Sequence, residues 1–296
     1  MITPERFVQF ARWALWSLTA IVVTGASVRL TGSGLGCTDW PNCEEDQFVA
    51  SLEYHAMIEF VNRLVTGVVA VAVILAVLGS LRRVPKRRDL VGWSLGLVAG
   101  VIAQVILGAL LVKTELDPRF TMGHFLLSMV LLWNAVVLLE KAKRDEPSAG
   151  SRPGVTVWTR LVFVASAVLL VTGTIVTGSG PHSGSDEPEV AARLPFLVRD
   201  VTRVHSITAI TVLALVLWTV RQAHLTGAHD RREDAMRVMS LLVAQGAVGY
   251  WQYFTGVPVL LVGLHITLAS LTWIQIVRLA WLAEQPAPAV REAVRA

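Results

Sequence analysis

Charge is what this sequence has least of. Only 16% of its 296 residues are Asp, Glu, Lys or Arg, 54% are hydrophobic, and the mean hydropathy is +0.58. Those values exclude an ordinary soluble domain. Cysteine is nearly absent as well: Cys37 and Cys43 are the only two, so a single disulfide is the most the chain can close within itself. Ahead of the first apolar run there is no basic stretch of the usual kind. No clear small-x-small cleavage site follows it, which argues against a removable secretory signal. The apolar runs also lack evident Gly/Pro breaks at their centres, which counts against a transporter built from interrupted helices.

What the chain does have is apolar sequence in lengths near the ~20 residues needed to cross a hydrocarbon core. Eight such runs stand out, roughly 9–30, 58–80, 90–112, 121–140, 158–178, 203–220, 236–255 and 258–282. Helices satisfy the backbone in lipid, so the expected fold is an all-α integral membrane protein with eight spans, among membrane lipid. The formal net charge of +4 does not point to nucleic acid, because the cations are distributed by loop. Arg82, Arg83, Lys86, Arg87 and Arg88 fall between runs 2 and 3. Lys141, Lys143, Arg144 and Arg152 fall between runs 4 and 5, and Arg221, Arg231, Arg232 and Arg237 between runs 6 and 7. The alternate loops hold almost none. This bias places both termini in the cytoplasm, in a multi-pass protein of the cell membrane.

The sequence is written twice. "VVTGASVRLTGSG" closes run 1 and "LVTGTIVTGSG" closes run 5, "AQVILGALL" matches "AQGAVGYWQ", and "MGHFLLS" matches "GLHITLAS". The separations Thr31 to Thr177 (146), Gln104 to Gln245 (141) and His124 to His265 (141) are nearly constant. Two four-helix bundles related by a pseudo-twofold along the membrane normal are therefore expected, covering residues 1–147 and 152–296.

Topology sorts the seven histidines. His182, His224 and His229 fall in loops, where solvated side chains are expected. His55, His124, His205 and His265 stand near the extracytoplasmic starts of the even-numbered helices, two in each half. Ionisable groups at membrane depth are functional candidates. Imidazoles projecting from facing helices suit a haem, whose iron takes axial nitrogen ligands and whose flat ring fills a bundle core. Zinc would want three or four clustered ligands. His205 and His265 form one pair. In the first half the repeat puts Asn62, 143 residues before His205, where the second half has its histidine. His55, Glu59 and Asn62 share a face of the second helix, so the partner of His124 is His55 or none. Arg29, Arg63 and Arg203 stand near extracytoplasmic helix ends, where a guanidinium could hold a haem propionate or snorkel to the interface. The two cysteines lie in an extracytoplasmic loop, where a disulfide persists, as a clamp or as a redox element.

"IEFVNR" (Ile58 to Arg63, with Glu59), "GHFLLS" around His124 and "LHITLAS" around His265, together with the eight runs and the repeat, resemble the haem A synthase family over essentially the whole chain. Members typically read Glu-x-x-His-Arg in the second helix, and here Asn62 stands at the histidine. The resemblance implies an oxidoreductase that oxidises the ring methyl of haem O to a formyl group, giving haem A for a terminal cytochrome oxidase. It implies a haem b cofactor held by His205 and His265, a substrate haem held by His124 in the first half, and Glu59 as the essential carboxylate. A farnesyltransferase producing haem O and the oxidase assembly are the implied partners, and homo-oligomerisation is left open. The alternative from the residues alone is a membrane di-haem b electron carrier working with quinone, which would not need a carboxylate between axial-ligand positions.

Overall fold

The computed structural model describes residues 1–37, 42–43, 49–144, 153–187 and 190–283. They form eight helices: α1 (Pro4–Leu30), α2 (Tyr54–Arg82), α3 (Arg88–Lys113), α4 (Pro118–Ala142), α5 (Pro153–Ser179), α6 (Val198–Leu225), α7 (His229–Phe254) and α8 (Val259–Ala283). Among the described residues the only β pairing is two isolated bridges. The boundary expected at 147–152 falls outside the described residues.

Local chemistry explains the helix starts. Thr3 caps α1, its hydroxyl accepting from Arg6 N at 3.4 Å ahead of Pro4. Asp117 caps α4 in the same way, accepting from Arg119 N at 2.8 Å ahead of Pro118, and proline fits the first turn because that amide has no helical acceptor. The Arg119 guanidinium and amide also hold the Asp117 carboxyl below the usual carboxylate range. The helices α2 and α6 begin four and five residues before the apolar runs that announced them. Their first turns carry Tyr54, His55, Arg199 and Asp200, which hydropathy does not count as helix.

Seven of the helices are long and apolar enough to cross a membrane. α7 is long enough, but its first turns carry Asp230, Arg231, Arg232, Glu233, Asp234 and Arg237, which lower its mean apolarity. The exposed side chains fit the same reading. Val61, Leu64, Val68 and Val71 on α2 and Leu161, Val164, Val168 and Val171 on α5 are exposed at three- and four-residue spacing. An apolar stripe turned outward at helical period fits contact with lipid.

Within the first half α1 touches α2 and α4, and α3 touches α2 and α4; within the second, α5 touches α6 and α8, and α7 touches α6 and α8. Each half thus closes a ring of four helices. The halves meet along α1, α4, α5 and α8. There Trp273 Nε1 donates to Met129 O at 2.8 Å, and the Trp273 ring stacks on Phe163 with centroids 5.1 Å apart. In lipid such contacts matter because packing and buried hydrogen bonds, not water exclusion, hold helices together.

The connections sort to two ends. At the lower end Val84 N donates to Ile2 O at 3.0 Å, and Arg87 Nη1 to Arg144 O at 2.6 Å. The upper end gathers the α1–α2, α3–α4, α5–α6 and α7–α8 connections. Here Gly34 N donates to Gly184 O at 2.7 Å and His182 Nε2 to Val257 O at 2.9 Å. The latter bond makes His182 a half-buried tie between loops, rather than the solvated residue expected; His224 and His229 are exposed as expected, but they sit in the last turn of α6 and at the first residue of α7 rather than in the loop.

Candidate functional site

In the second half, α6 and α8 stand diagonally across the ring and point His205 and His265 at each other. The ring centroids are 6.4 Å apart, with the planes at 68°. Two metal–imidazole bonds of about 2 Å each, plus the half-widths of two rings, give a centroid separation of roughly 6 Å. The pair is therefore spaced for a single metal atom between its nitrogens. Thr172 Oγ1 donates to Leu169 O at 2.9 Å and stands 3.1 Å from His205 Nδ1. With its proton so engaged, the hydroxyl accepts from Nδ1–H, which leaves Nε2 as the lone-pair nitrogen.

Neighbouring helices shape the pair. A Cβ at Gly173 on α5 would lie 3.1 Å from His205 Cε1, and one at Gly249 on α7 would lie 3.0 Å from His265 Cε1. Both positions need the missing side chain for the imidazoles to sit where they do. Gln245 Nε2 on α7 donates to His265 O at 3.0 Å, pinning α8 at the level of the histidine. His265 Nδ1 is buried with no partner. A pair of half-buried imidazoles, one with an orphaned nitrogen, fits a flat iron macrocycle set between the helices.

The first half repeats part of this arrangement. Gln104 Nε2 on α3 donates to His124 O at 3.0 Å and to Ser128 Oγ at 2.7 Å, and His124 Nδ1 is buried without a partner. Opposite, on α2, Asn62 Oδ1 accepts from Thr24 Oγ1 at 2.8 Å. Glu59, one turn away, is buried. Its Oε2 accepts from Cys37 N at 2.9 Å, and its Oε1 pairs with Arg63 Nη2 at 2.6 Å. Cys37 and Cys43 are joined in a disulfide, and Arg63 Nη1 donates to Asn42 O at 2.8 Å inside that small loop. The disulfide loop is thereby tied to the carboxylate. His55 lies 3.0 Å from Ser33 Oγ and 3.8 Å from Asp186 of the α5–α6 connection; His124 is not among these partners.

The three arginine candidates separate. Arg63 is held by Glu59. Arg203 is exposed, with Asp200 Oδ1 at 3.5 Å. Arg29 reaches Thr177 O of α5 at 3.3 Å. Sequence reasoning used Gln104 and Gln245 as markers of the repeat without giving them a task. It missed Thr172, Gly173 and Gly249, whose value lies in what they approach. It also missed Arg193, whose guanidinium is pulled below the usual arginine range by burial.

The sequence matches the family described as COX15-CtaA, cytochrome oxidase assembly protein, over residues 10–53 and 45–277. The chain belongs to that family. Its relatives include the haem A synthase of Geobacillus thermodenitrificans, 30% identical over 135 residues, which are 44% of this chain and 42% of that protein. The haem A synthase of Symbiobacterium thermophilum is 26% identical over 262 residues, 82% of this chain and 84% of that protein. A protohaem IX farnesyltransferase of Thermus thermophilus is 25% identical over 283 residues, 90% of this chain but 46% of that protein. The match spans 42% and 56% of the first two relatives, about half their length. Membership of the COX15-CtaA family and these names lend the electron-carrier alternative no support.

Proposed function

We propose that the chain is a haem A synthase, a membrane oxidoreductase that converts the ring methyl of haem O to a formyl group by successive hydroxylations. The observation that carries this is the His205–His265 pair, 6.4 Å between ring centroids, in a chain of the COX15-CtaA family. That pair would hold haem b, which when bound supplies one-electron redox chemistry. His124 would hold haem O as substrate in the first half. Glu59 is the catalytic carboxylate: Cys37 N and Arg63 take two of its roughly four lone-pair positions, and the Gly36 amide bears on it as well. What is left can orient or deprotonate a water, or offset positive charge developing at the methyl carbon.

The two units, 1–147 and 152–296, are related by a pseudo-twofold along the membrane normal, one for each haem. The cation bias of the alternate loops supports a reading in which both termini are cytoplasmic and the haem sites lie toward the outer face of the cell membrane. A farnesyltransferase that makes haem O would precede this step, a reading supported by the likeness to the Thermus thermophilus protein so named. A cytochrome oxidase would receive the product.

Pigment extracted from membranes expressing the chain with a supply of haem O tests the reading. Formyl or hydroxymethyl haem is the expected result; haem b alone would favour an electron carrier, and no haem at all would defeat both. The second site has its own check. In Gly249→Val the branched side chain meets the His265 ring, and we expect haem b binding to weaken at least about tenfold, about 1.4 kcal/mol or more. Titration followed by the low-spin absorbance reads the change.

A further inference from the structure

Two arginines reach carbonyls at the upper end of α5, and neither is paired with an acid among the described residues. Arg29, in the last turn of α1, crosses the seam and donates from Nη2 to Thr177 O at 3.3 Å. Arg193, in the connection after α5, donates from Nη2 to Pro181 O at 2.5 Å. Cations are favoured at the carbonyl end of a helix, but that accounts for one nitrogen of each. Arg29 Nε and Arg193 Nη1 are buried without a hydrogen-bond partner. Neither has a carboxylate partner among the described residues. Buried donors left unmet are costly, and two cations so placed call for an anion.

Their position says which anion. Thr177 lies one helical turn beyond Gly173, the residue against the His205 ring. Leu30, next to Arg29, has its Cδ1 3.5 Å from where a Cβ on Gly263 would stand, and Gly263 precedes His265 by two residues. The pair therefore sits just above the facing imidazoles, on the upper side, where the edge of a flat ring held between them would emerge.

The geometry points to Arg29 and Arg193 as a clamp for the propionate carboxylates of the haem at His205 and His265. The first half of the chain thus supplies a contact to the haem of the second. This rests on the proposed haem reading of that pair. The planar guanidinium fork matches a carboxylate bidentately; the phosphate of a lipid headgroup shares that chemistry.

The test uses the full chain in detergent, titrated with haem b and with its dimethyl ester, in which both carboxylates are blocked while the iron is unchanged. The unaltered chain is expected to prefer the free acid at least about tenfold. In Arg193→Gln the preference falls close to unity, and in Arg29→Lys, which keeps the charge and loses the fork, to an intermediate value. Equal binding of acid and ester by the unaltered chain, a comparison that needs no variant, overturns the clamp. A preference that survives in both variants does so too. Loss of co-purifying phospholipid in Arg193→Gln, with haem preference unchanged, assigns the arginines to a headgroup and also overturns it. If neither compound gives a low-spin species in the unaltered chain, the haem reading itself has failed and the clamp falls with it.

Discussion

Glu59→Gln is expected to stop conversion of haem O, by at least about a hundredfold, while the low-spin haem b spectrum of the His205–His265 pair persists. Glutamine keeps the shape and can still accept from Cys37 N, but it removes the negative charge and the proton-accepting capacity. It also puts an amide against Arg63, whose Nη2 now sits 2.6 Å from the carboxylate. Breaking a buried ion pair costs stability, since the remaining charge is left without its partner, and loss of activity could then reflect a loosened disulfide loop. One further measurement separates the roles. Cys37→Ser with Cys43→Ser removes the covalent tie and leaves the carboxylate. If Glu59 served only to anchor that loop, this double variant would lose as much conversion as Glu59→Gln. If Glu59 acts on the substrate, the double variant keeps measurable conversion. Conversion within tenfold of the unaltered chain in Glu59→Gln would sink the catalytic assignment.

How much of this could be read without coordinates depends on the kind of signal. All eight spans announced themselves as apolar runs, since a lipid-facing helix has no polar face to hide. α7 was harder to bound, because six charged residues occupy its first turns. The His205–His265 pair was legible because imidazole is rare at membrane depth and the repeat offset singled it out. What stayed hidden are relations across distance: the amide of Cys37 on Glu59, the hydroxyl of Thr172 at Nδ1 of His205, the glycines that make room for two rings. None of these residue types is distinctive on its own, and only the packing of α5 and α7 against α6 and α8 gives Gly173 and Gly249 their meaning. The face that His55 shares with Glu59 and Asn62 makes it a ligand candidate; in the structure its ring, in the first turn of α2, stands against Ser33 and the Asp186 carboxylate.

Asn62→His is expected to convert the iron of a haem bound in the first half from a high-spin to a low-spin form. The contrast between the halves motivates this. Across α6 and α8 two imidazoles meet; across α2 and α4, His124 has a buried orphaned nitrogen, and the residue at the position matching His205 is an asparagine engaged by Thr24. A carboxamide oxygen is a poor ligand for iron beside imidazole. His124 alone would then hold the metal, and the face toward Glu59, one turn along α2, would stay open. In Asn62→His the second imidazole closes that face, so a near-complete low-spin spectrum should appear together with at least about a tenfold fall in conversion. The spectra are recorded in a His265→Ala background, which removes the bis-imidazole signal of the second half, using absorption and electron paramagnetic resonance; conversion is read with His265 in place. A first-half haem that is already low-spin, unchanged by Asn62→His and lost in His55→Ala, would show that His55 closes the site, and the open-face account would then be wrong. A high-spin form that becomes low-spin would make Asn62 the residue that keeps the substrate iron accessible beside its carboxylate.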